Sequence, residues 1–111
     1  MTKSETPEQR KRRLKPILAS QVESYLVSQV EAHGGLATKT ISPGGRGYFD
    51  RTVLLPGGLV VFCEVKKPRR SVMSVHQRAL HIAYRRLGAR VAVIKCCDDV
   101  DRLLEGLMTA A

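Results

Sequence analysis

The chain has 111 residues, enough for one domain with a modest core and too few for two. Its 19 basic and 10 acidic residues give a formal net charge of +9, which favours a polyanionic partner such as a nucleic acid. A membrane partner is disfavoured, because no apolar run approaches about 18 residues and no signal peptide begins the chain.

The cysteines and histidines argue against a disulfide framework and against a site built from sulfur or imidazole ligands. Cys96 and Cys97 are adjacent, which is not the spacing of a zinc ribbon, and the odd count of 3 cysteines fits a reducing, intracellular compartment. Cys63 is expected to pack in the core. His76 and His81 are five apart, so they face different sides of a helix, and none of the histidines is expected to bind a metal.

Residues 1 to about 15 are polar and basic, and we predict that they form a flexible tail ahead of a single domain over residues 16–111. Arg12 and Arg13 lie at the centre of this tail. They either contact the phosphates of a nucleic acid or belong to a frayed, solvated terminus, and the sequence favours neither interpretation over the other.

The first predicted helix has Pro16 in its first turn and runs to about His33, where Gly34-Gly35 ends it. An apolar stripe follows one side of this helix at every fourth residue: Leu18, Val22, Leu26 and Val30. Glu23 lies at the margin of the stripe. It either faces a sheet edge or is an ordinary solvated glutamate.

A strand is predicted near Leu36 to Ile41. It leads into a glycine-rich segment, Ser42 to Gly47, whose basic residue is Arg46. This segment is either a loop that contacts phosphates and closes over a substrate or a flexible connector. Its pattern is neither a Walker loop nor a dinucleotide-binding fingerprint, so nucleotide binding is only weakly indicated.

A predicted hairpin then brings two acids close together. If Pro56 to Gly58 form its loop, Leu55 pairs with Leu59 and Asp50 lies directly opposite Glu64, with Cβ atoms about 5 Å apart. A two-residue loop without a bulge would shift the register by one and separate the acids. The prediction therefore depends on the turn.

Glu64 interrupts an otherwise apolar run from Leu59 to Val65, which is typical of a strand buried on both faces. An unpaired carboxylate is costly there, so a partner is expected. Lys66 points to the same side as Glu64, since strand side chains alternate. One interpretation is structural: Glu64 and Lys66 form an ordinary ion pair, and Asp50 simply opens a strand. The other is a site in which Asp50 and Glu64 bind a divalent cation such as Mg²⁺ and Lys66 assists phosphodiester hydrolysis.

After the hairpin, a dense positive run contains Lys67, Arg69 and Arg70, which are candidates to grip a nucleic-acid backbone. The next helix is predicted to start at Ser74, because Ser74 and Gln77 match a capping box. Gln77 therefore has a purely structural interpretation beside any role in the site.

The buried side of this helix is predicted to carry Leu80, Ala83, Tyr84 and Leu87. Gly88 fits the C′ position after it. A strand from Arg90 to Cys96 and a last helix capped by Asp98 or Asp99 complete the chain. The predicted order of elements is α-β-β-β-α-β-α.

Asp50, the run Glu64-Val65-Lys66, Gln77 and the helical Glu23 together resemble the VRR-NUC (virus-type replication-repair nuclease) domain of the PD-(D/E)XK nuclease superfamily. The resemblance covers roughly residues 17–107 and is closest to short, single-domain members typical of phages. It implies an α/β, restriction-endonuclease-like core with a mixed central sheet flanked by helices. It also implies that Lys66 is catalytic, with Gln77 matching the glutamine of the family's next helix. The implied metal ligands are Glu23, Asp50, Glu64 and the carbonyl of Val65.

Two positions depart from the family pattern. Phe49 stands where a proline usually precedes the first acid, so the chain is expected to approach Asp50 differently. Gln21 is neutral where the first helix can carry a further acid, which leaves Glu23 as the candidate ligand from that helix.

The resemblance further implies a DNA endonuclease that depends on Mg²⁺ or Mn²⁺, uses no organic cofactor and leaves a 5′-phosphate. Branched DNA, such as a Holliday junction or flap, is the expected substrate, and a homodimer would cut a four-way junction symmetrically. The expected location is the cytoplasm of a bacterium or phage-infected cell. The alternatives are a non-catalytic DNA-binding protein, a nuclease without structural preference or acting on RNA, and a basic RNA-binding structural protein.

Overall fold

The computed structural model describes residues 4–9, 18–40, 49–66 and 73–109. A short helical stretch covers residues 7–9, and from Ala19 to Thr109 the elements follow the predicted order α-β-β-β-α-β-α. The helices are α1 (Ala19–Ala32), α2 (Val75–Arg86) and α3 (Cys97–Thr109). The strands are β1 (Leu36–Lys39), β2 (Arg51–Leu55), β3 (Leu59–Val65) and β4 (Arg90–Ile94).

The strands form one mixed sheet in the order β1-β2-β3-β4. Strands β1, β2 and β3 are antiparallel neighbours, whereas β4 runs parallel to β3, because α2 carries the chain back before β4 begins. Helices α1 and α3 pack on one face of the sheet, and α2 contacts the other face through its aromatic side chains. The predicted α/β class, a mixed sheet flanked by helices, is confirmed.

The turn between β2 and β3 is the predicted three-residue loop. Leu55 pairs with Leu59 across Pro56-Gly57-Gly58, and both glycines have positive φ angles, 85° and 75°, that favour glycine. The register runs without a bulge from Leu55 and Leu59 to Arg51 and Cys63, where the ladder ends one residue before Asp50. The backbone N of Asp50 then bonds to the carbonyl oxygen of Cys63, so Asp50 lies next to Glu64, although the ladder does not include the predicted direct pair.

Apolar side chains from α1, α3 and one face of the sheet form the core. Its buried members are Val22, Leu26, Val30, Val53, Leu55, Val61, Cys63, Ile94, Val100 and Leu104. Leu18 does not continue the predicted stripe of α1, because its backbone is extended and its side chain is 68% exposed. The predicted helix start at Pro16 is therefore too early, and α1 begins at Ala19.

Helix α2 begins with the predicted capping box. The backbone N of Ser74 donates to Gln77 Oε1 at 3.2 Å, and the backbone N of Gln77 donates to Ser74 Oγ at 3.1 Å. The buried face of α2 differs from the prediction, since His81 is buried while Ala83 and Leu87 are exposed. Leu87 follows the last helical residue as the C-cap, so it lies beyond the packed side of the helix.

An aromatic cluster joins α2 to the sheet and holds the residue before Asp50. The Phe49 side chain is 2% exposed, and its ring centroid lies 4.8 Å from that of His81, 4.9 Å from Tyr84 and 5.4 Å from Phe62. Burial, reinforced by nearby positive charges, lowers the pKa of His81, so its ring packs in the neutral form. Among the described residues, neither ring nitrogen of His81 has a hydrogen-bond partner.

The predicted cap of the last helix is shifted. Strand β4 ends at Ile94 and α3 begins at Cys97, so Asp98 and Asp99 lie within the first turn rather than at the cap. Asp99 Oδ2 accepts a hydrogen bond from the backbone N of Lys95 at 2.9 Å. Both acids still stand at the helix end where the macrodipole favours negative charge.

Candidate active site

Two hydrogen bonds to β3 hold Asp50 at the entry to β2. Its backbone N donates to the carbonyl oxygen of Cys63 at 3.0 Å, and its Oδ2 accepts from the backbone N of Val65 at 2.6 Å. The carboxylate is thereby fixed over the end of β3, on the strand that carries Glu64. The loop register thus brings the two acids together.

The Glu64 carboxyl is buried, with 4% of the residue exposed. Burial, and then the negative charge of Asp50, raise the pKa of Glu64 to about 7. Lys66 opposes this shift, since its Nζ lies 3.5 Å from Glu64 Oε1. One ammonium group does not neutralise two close carboxylates, so this end of the sheet favours an additional cation.

Gln77 connects the lysine to the buried glutamate. Lys66 Nζ donates to Gln77 Oε1 at 3.0 Å, and Gln77 Nε2 donates to Glu64 Oε1 at 3.2 Å. The same Oε1 accepts from the backbone N of Ser74 in the capping box. The helix cap thus fixes the orientation of the amide, so the structural and functional interpretations of Gln77 describe one arrangement.

Glu23 lies on the other side of Asp50. Together with Ala19, Ser20 and Val65, these two acids line a cleft of about 200 Å³ at the end of the sheet. The Glu23 carboxylate pairs with Arg51, whose Nε lies 3.3 Å from Glu23 Oε1. The predicted ligand from α1 therefore reaches the same cleft as Asp50 but already has a cationic partner.

The donor atoms at this site fit a divalent cation that prefers oxygen. Glu23, Asp50 and Glu64 carry carboxylates around this end of the sheet, and Val65 lines the cleft, so the oxygen donors available here suit Mg²⁺ or Mn²⁺. Within the described parts of the chain, no three His, Cys, Asp or Glu side chains are already arranged to hold a metal ion. Binding would therefore require side-chain adjustment, most simply of Glu23.

The predicted nucleic-acid contacts lie outside the described residues. This applies to Arg12 and Arg13 of the tail, to Arg46 of the glycine-rich segment, and to Lys67, Arg69 and Arg70 after β3. The boundary predicted between residues 15 and 16 also falls there. These assignments stay predictions.

Arg51 and the Phe49 cluster were not predicted from the sequence. Arg51 opens β2 with its side chain on the core side, opposite Cys63, where an arginine needs an anionic partner. Glu23, at the margin of the α1 stripe, was the acid available to supply one. The burial of His81 was harder to predict, because a histidine on an amphipathic helix is more often exposed than buried.

The raised pKa of Glu64 predicts how metal-free protein responds to pH. Between about 4.5, its ordinary value, and about 7, Glu64 is protonated in the folded chain and ionised in the unfolded chain. The folded state then binds more protons, so the contribution of Glu64 to the free energy of unfolding falls as pH rises through this window. Urea unfolding of the wild type and Glu64→Gln in EDTA at pH 4.5 and 8 measures it. A stability difference between the two proteins that does not change with pH would contradict the prediction.

No family model matches the chain. It is 40% identical over 77 residues to a protein named "Putative nuclease p44" of Acyrthosiphon pisum secondary endosymbiont phage 1, a match that covers 69% of this chain and 82% of that protein. A solved structure named "VRR_NUC domain" superposes with a TM-score of 0.71 at 38% identity, covering 78% of this chain and 94% of the other.

Both relatives are matched over most of their own length. In the described parts of the chain, no helix combines the length and apolar character needed to cross a membrane. The resemblance seen in the sequence is therefore confirmed at the level of fold and family, and the chain belongs to the VRR-NUC family of nucleases, with its restriction-endonuclease-like α/β fold.

Proposed function

We propose that this chain is a divalent-metal-dependent DNA endonuclease with a site built on Asp50, Glu64 and Lys66. The main support is the buried Glu64 carboxyl, which shares one end of the sheet with a second acid and an ammonium group. Such a group of side chains suits metal-assisted hydrolysis of a phosphodiester. Membership of a family of nucleases supports the same chemistry.

The carboxylates would hold Mg²⁺ or Mn²⁺ together with the Val65 carbonyl. Asp50 is fixed by its bond to the backbone of Val65, whereas Glu23 reaches the cleft on a longer and partly exposed side chain. When bound, the ion would polarise the phosphoryl group and make an attached water more acidic. Asp50 and Glu64 are therefore proposed as the principal ligands, and Glu23 as the ligand that completes the set.

Lys66 is proposed to orient the attacking water and to stabilise negative charge on the phosphoryl oxygens in the transition state. In-line attack on phosphorus forms one P–O bond and breaks the bond to the 3′ oxygen. The products are a 5′-phosphate and a 3′-hydroxyl. Gln77 supports this role, because its Oε1 accepts a hydrogen bond from Lys66 Nζ and holds the ammonium beside Glu64.

DNA is proposed as the substrate because the chain carries a net charge of +9. Helix α2 has Gln77 in its first turn and exposes Arg78 directly after it, with Arg85 and Arg86 exposed in its last turn. Contacts of this kind recognise the shape and charge of the DNA backbone rather than base sequence. The basic residues of the tail and loops, named above, are proposed to extend this surface.

Branched DNA and a homodimer complete the proposal. A backbone-reading nuclease discriminates by DNA geometry, and two copies related by a twofold axis would present two sites to the matching strands of a four-way junction. We further propose that residues 1–15 form a DNA-contacting tail and that residues 16–111 form the catalytic domain.

Cleavage of a labelled substrate panel tests the proposal. Four-way junction, flap, plain duplex, single-stranded DNA and RNA are compared at several salt concentrations with Mg²⁺ or Mn²⁺, because basic side chains make binding strongly salt-dependent. We expect the junction or flap to be cut fastest. Equal rates on plain duplex would reject the structural preference, and faster cutting of RNA would reject DNA as the substrate.

Gln77 offers a test that separates its helix-capping role from its role in the site. Gln77→Glu keeps the capping box with Ser74 but places a third carboxylate beside Glu64 in place of the Nε2 donor. We expect cleavage to fall by about 10- to 100-fold, because Lys66 and Glu64 lose their fixed geometry. Thermal unfolding in EDTA checks that α2 is intact.

Gln77→Ala is the matched variant, since it removes both functions of the side chain. A glutamate variant as active as the wild type would assign Gln77 to helix capping alone.

A further inference from the structure

The side chain of Arg51, the residue after Asp50, connects three elements around the site: α1, β1 and β2. Its Nε donates to Glu23 Oε1 of α1 at 3.3 Å, and its Nη1 donates to the carbonyl oxygen of Ala37 in β1 at 3.0 Å. Its own backbone opens β2, directly after Asp50. One nitrogen of the guanidinium is thus bonded to β1, and another is bonded to Glu23 of α1.

The pair lies in a partly buried position, where it has more effect than a surface ion pair. The Arg51 and Glu23 side chains are 19% and 26% exposed. A free glutamate side chain on a helix samples several rotamers, and holding it in one of them costs conformational entropy. Arg51 holds Oε1 of Glu23, and the same glutamate lines the cleft together with Asp50.

We propose that Arg51 is a positioning residue that orients Glu23 toward the cation site between α1 and β2. This inference rests on the proposed function, since it concerns how a ligand of that site is presented. Side chains that hydrogen-bond a ligating carboxylate fix its direction and commonly change metal affinity when they are removed. Arg51 acts on the cation only through Glu23.

Asp50 and Arg51 are adjacent in the chain but contact different elements around the site. The Asp50 carboxylate lies over the end of β3, where it accepts from the backbone N of Val65, and the Arg51 side chain lies on the core face of β2, where it contacts Glu23 of α1. A direct contact between Arg51 and a DNA phosphate is disfavoured, because both its Nε and its Nη1 are engaged within the protein. The predicted effect of Arg51 is therefore on cation binding and not on DNA affinity.

The sign of the effect on cation affinity separates positioning from simple charge. Removal of a positive charge near a cation site should tighten cation binding through Coulomb attraction alone. Loss of a positioning residue should weaken it. Lys39 lies directly across from Arg51 in the β1–β2 ladder and is exposed, so Lys39→Met makes the same change of charge without touching Glu23.

Mn²⁺ binding to full-length protein, measured by titration calorimetry, is compared for wild type, Glu23→Gln, Arg51→Met, the double variant and Lys39→Met. We expect Arg51→Met to weaken Mn²⁺ binding by about 10-fold, within the range for partners of metal ligands, and to have less than a twofold effect in the Glu23→Gln background. Lys39→Met should bind as tightly as the wild type or slightly more tightly. Urea unfolding confirms that each variant is folded, and Arg51→Lys, which reaches Glu23 or Ala37 but not both, should give an intermediate affinity.

Tighter binding by Arg51→Met would show that Arg51 is a competing charge and would overturn the inference. An equal loss in the wild-type and Glu23→Gln backgrounds would also overturn it, because Arg51 would then act independently of Glu23. If wild type binds Mn²⁺ and cuts DNA while Arg51→Met is unchanged in both, the inference alone fails. If wild type neither binds Mn²⁺ nor cuts DNA, the proposed function fails and the inference with it.

Discussion

Lys66→Ala is expected to reduce DNA cleavage by about 100- to 1000-fold, the loss typical of removing one group that stabilises transition-state charge. The side chain lies 3.5 Å from Glu64 Oε1 and 3.0 Å from Gln77 Oε1, so its ammonium is fixed beside the acids. Single-turnover cleavage of a labelled junction measures the effect, and fluorescence anisotropy measures junction binding. We expect binding to change by less than about threefold, because one phosphate contact among many contributes little.

Lys95→Ala is the matched control for this experiment, because Lys95 is an exposed lysine outside the site. It should cut DNA at the wild-type rate. Loss of Lys66 also removes a counter-charge from the buried Glu64, so the folded fraction of the variant is checked by circular dichroism. Wild-type cleavage by folded Lys66→Ala would remove Lys66 from the proposed chemistry.

Phe49→Ala is expected to lower the free energy of unfolding by about 3–5 kcal/mol, the usual cost of truncating a buried phenylalanine. Phe49 is 2% exposed and contacts the rings of His81, Tyr84 and Phe62. Total stabilities of small domains are about 5–15 kcal/mol, so this one change removes a large fraction. Urea unfolding in EDTA measures it without any contribution from bound metal.

Two control variants show whether the cost arises from the cluster. Phe49→Leu keeps most of the apolar volume and loses the ring pairing, so we expect a smaller loss than for alanine. Leu87→Ala, at a side chain that is 88% exposed, should change stability by less than about 0.5 kcal/mol. A loss below about 1 kcal/mol in Phe49→Ala would contradict the packing described for the cluster.

The fold was predictable wherever local chemistry decides the structure. The turn residues Pro56-Gly57-Gly58 determined the hairpin register and hence the meeting of Asp50 and Glu64. The pair Ser74 and Gln77 located the start of α2, because a capping box needs only residues three apart. In both cases the physical signal lies within a few residues of the feature that it predicts.

Features that depend on distant parts of the chain were not predictable in the same way. The start of α1 was placed too early because the stripe of apolar residues continues to Leu18, although that side chain is exposed. The buried side of α2 was wrong at Ala83 and Leu87, since the packing of His81 against Phe49 decides which side faces inward. Periodicity identifies a face but not the partner that covers it.

The residues of the site likewise divide into those that local sequence predicts and those that depend on distant parts of the chain. Asp50, Glu64 and Lys66 were recognisable from strand alternation and the turn, whereas Glu23 depended on resemblance to a family. The ion pair between Glu23 and Arg51 joins residues 28 positions apart in sequence, so spacing alone could not predict it. The catalytic and metal-binding roles of all these residues stay predictions until they are tested.

The most direct test of a metal-dependent nuclease compares purified wild-type protein and Asp50→Asn on an end-labelled four-way junction in Mg²⁺ and in EDTA. Asp50→Asn keeps the size of the side chain and an oxygen able to accept from Val65 N, but removes the charge that would attract the cation. We predict cleavage by wild type in Mg²⁺, no cleavage in EDTA, recovery when excess Mg²⁺ is restored, and little cleavage by the variant under any condition. Equal cleavage in EDTA, or tight binding of the junction without cleavage in either Mg²⁺ or Mn²⁺, would contradict the proposed function.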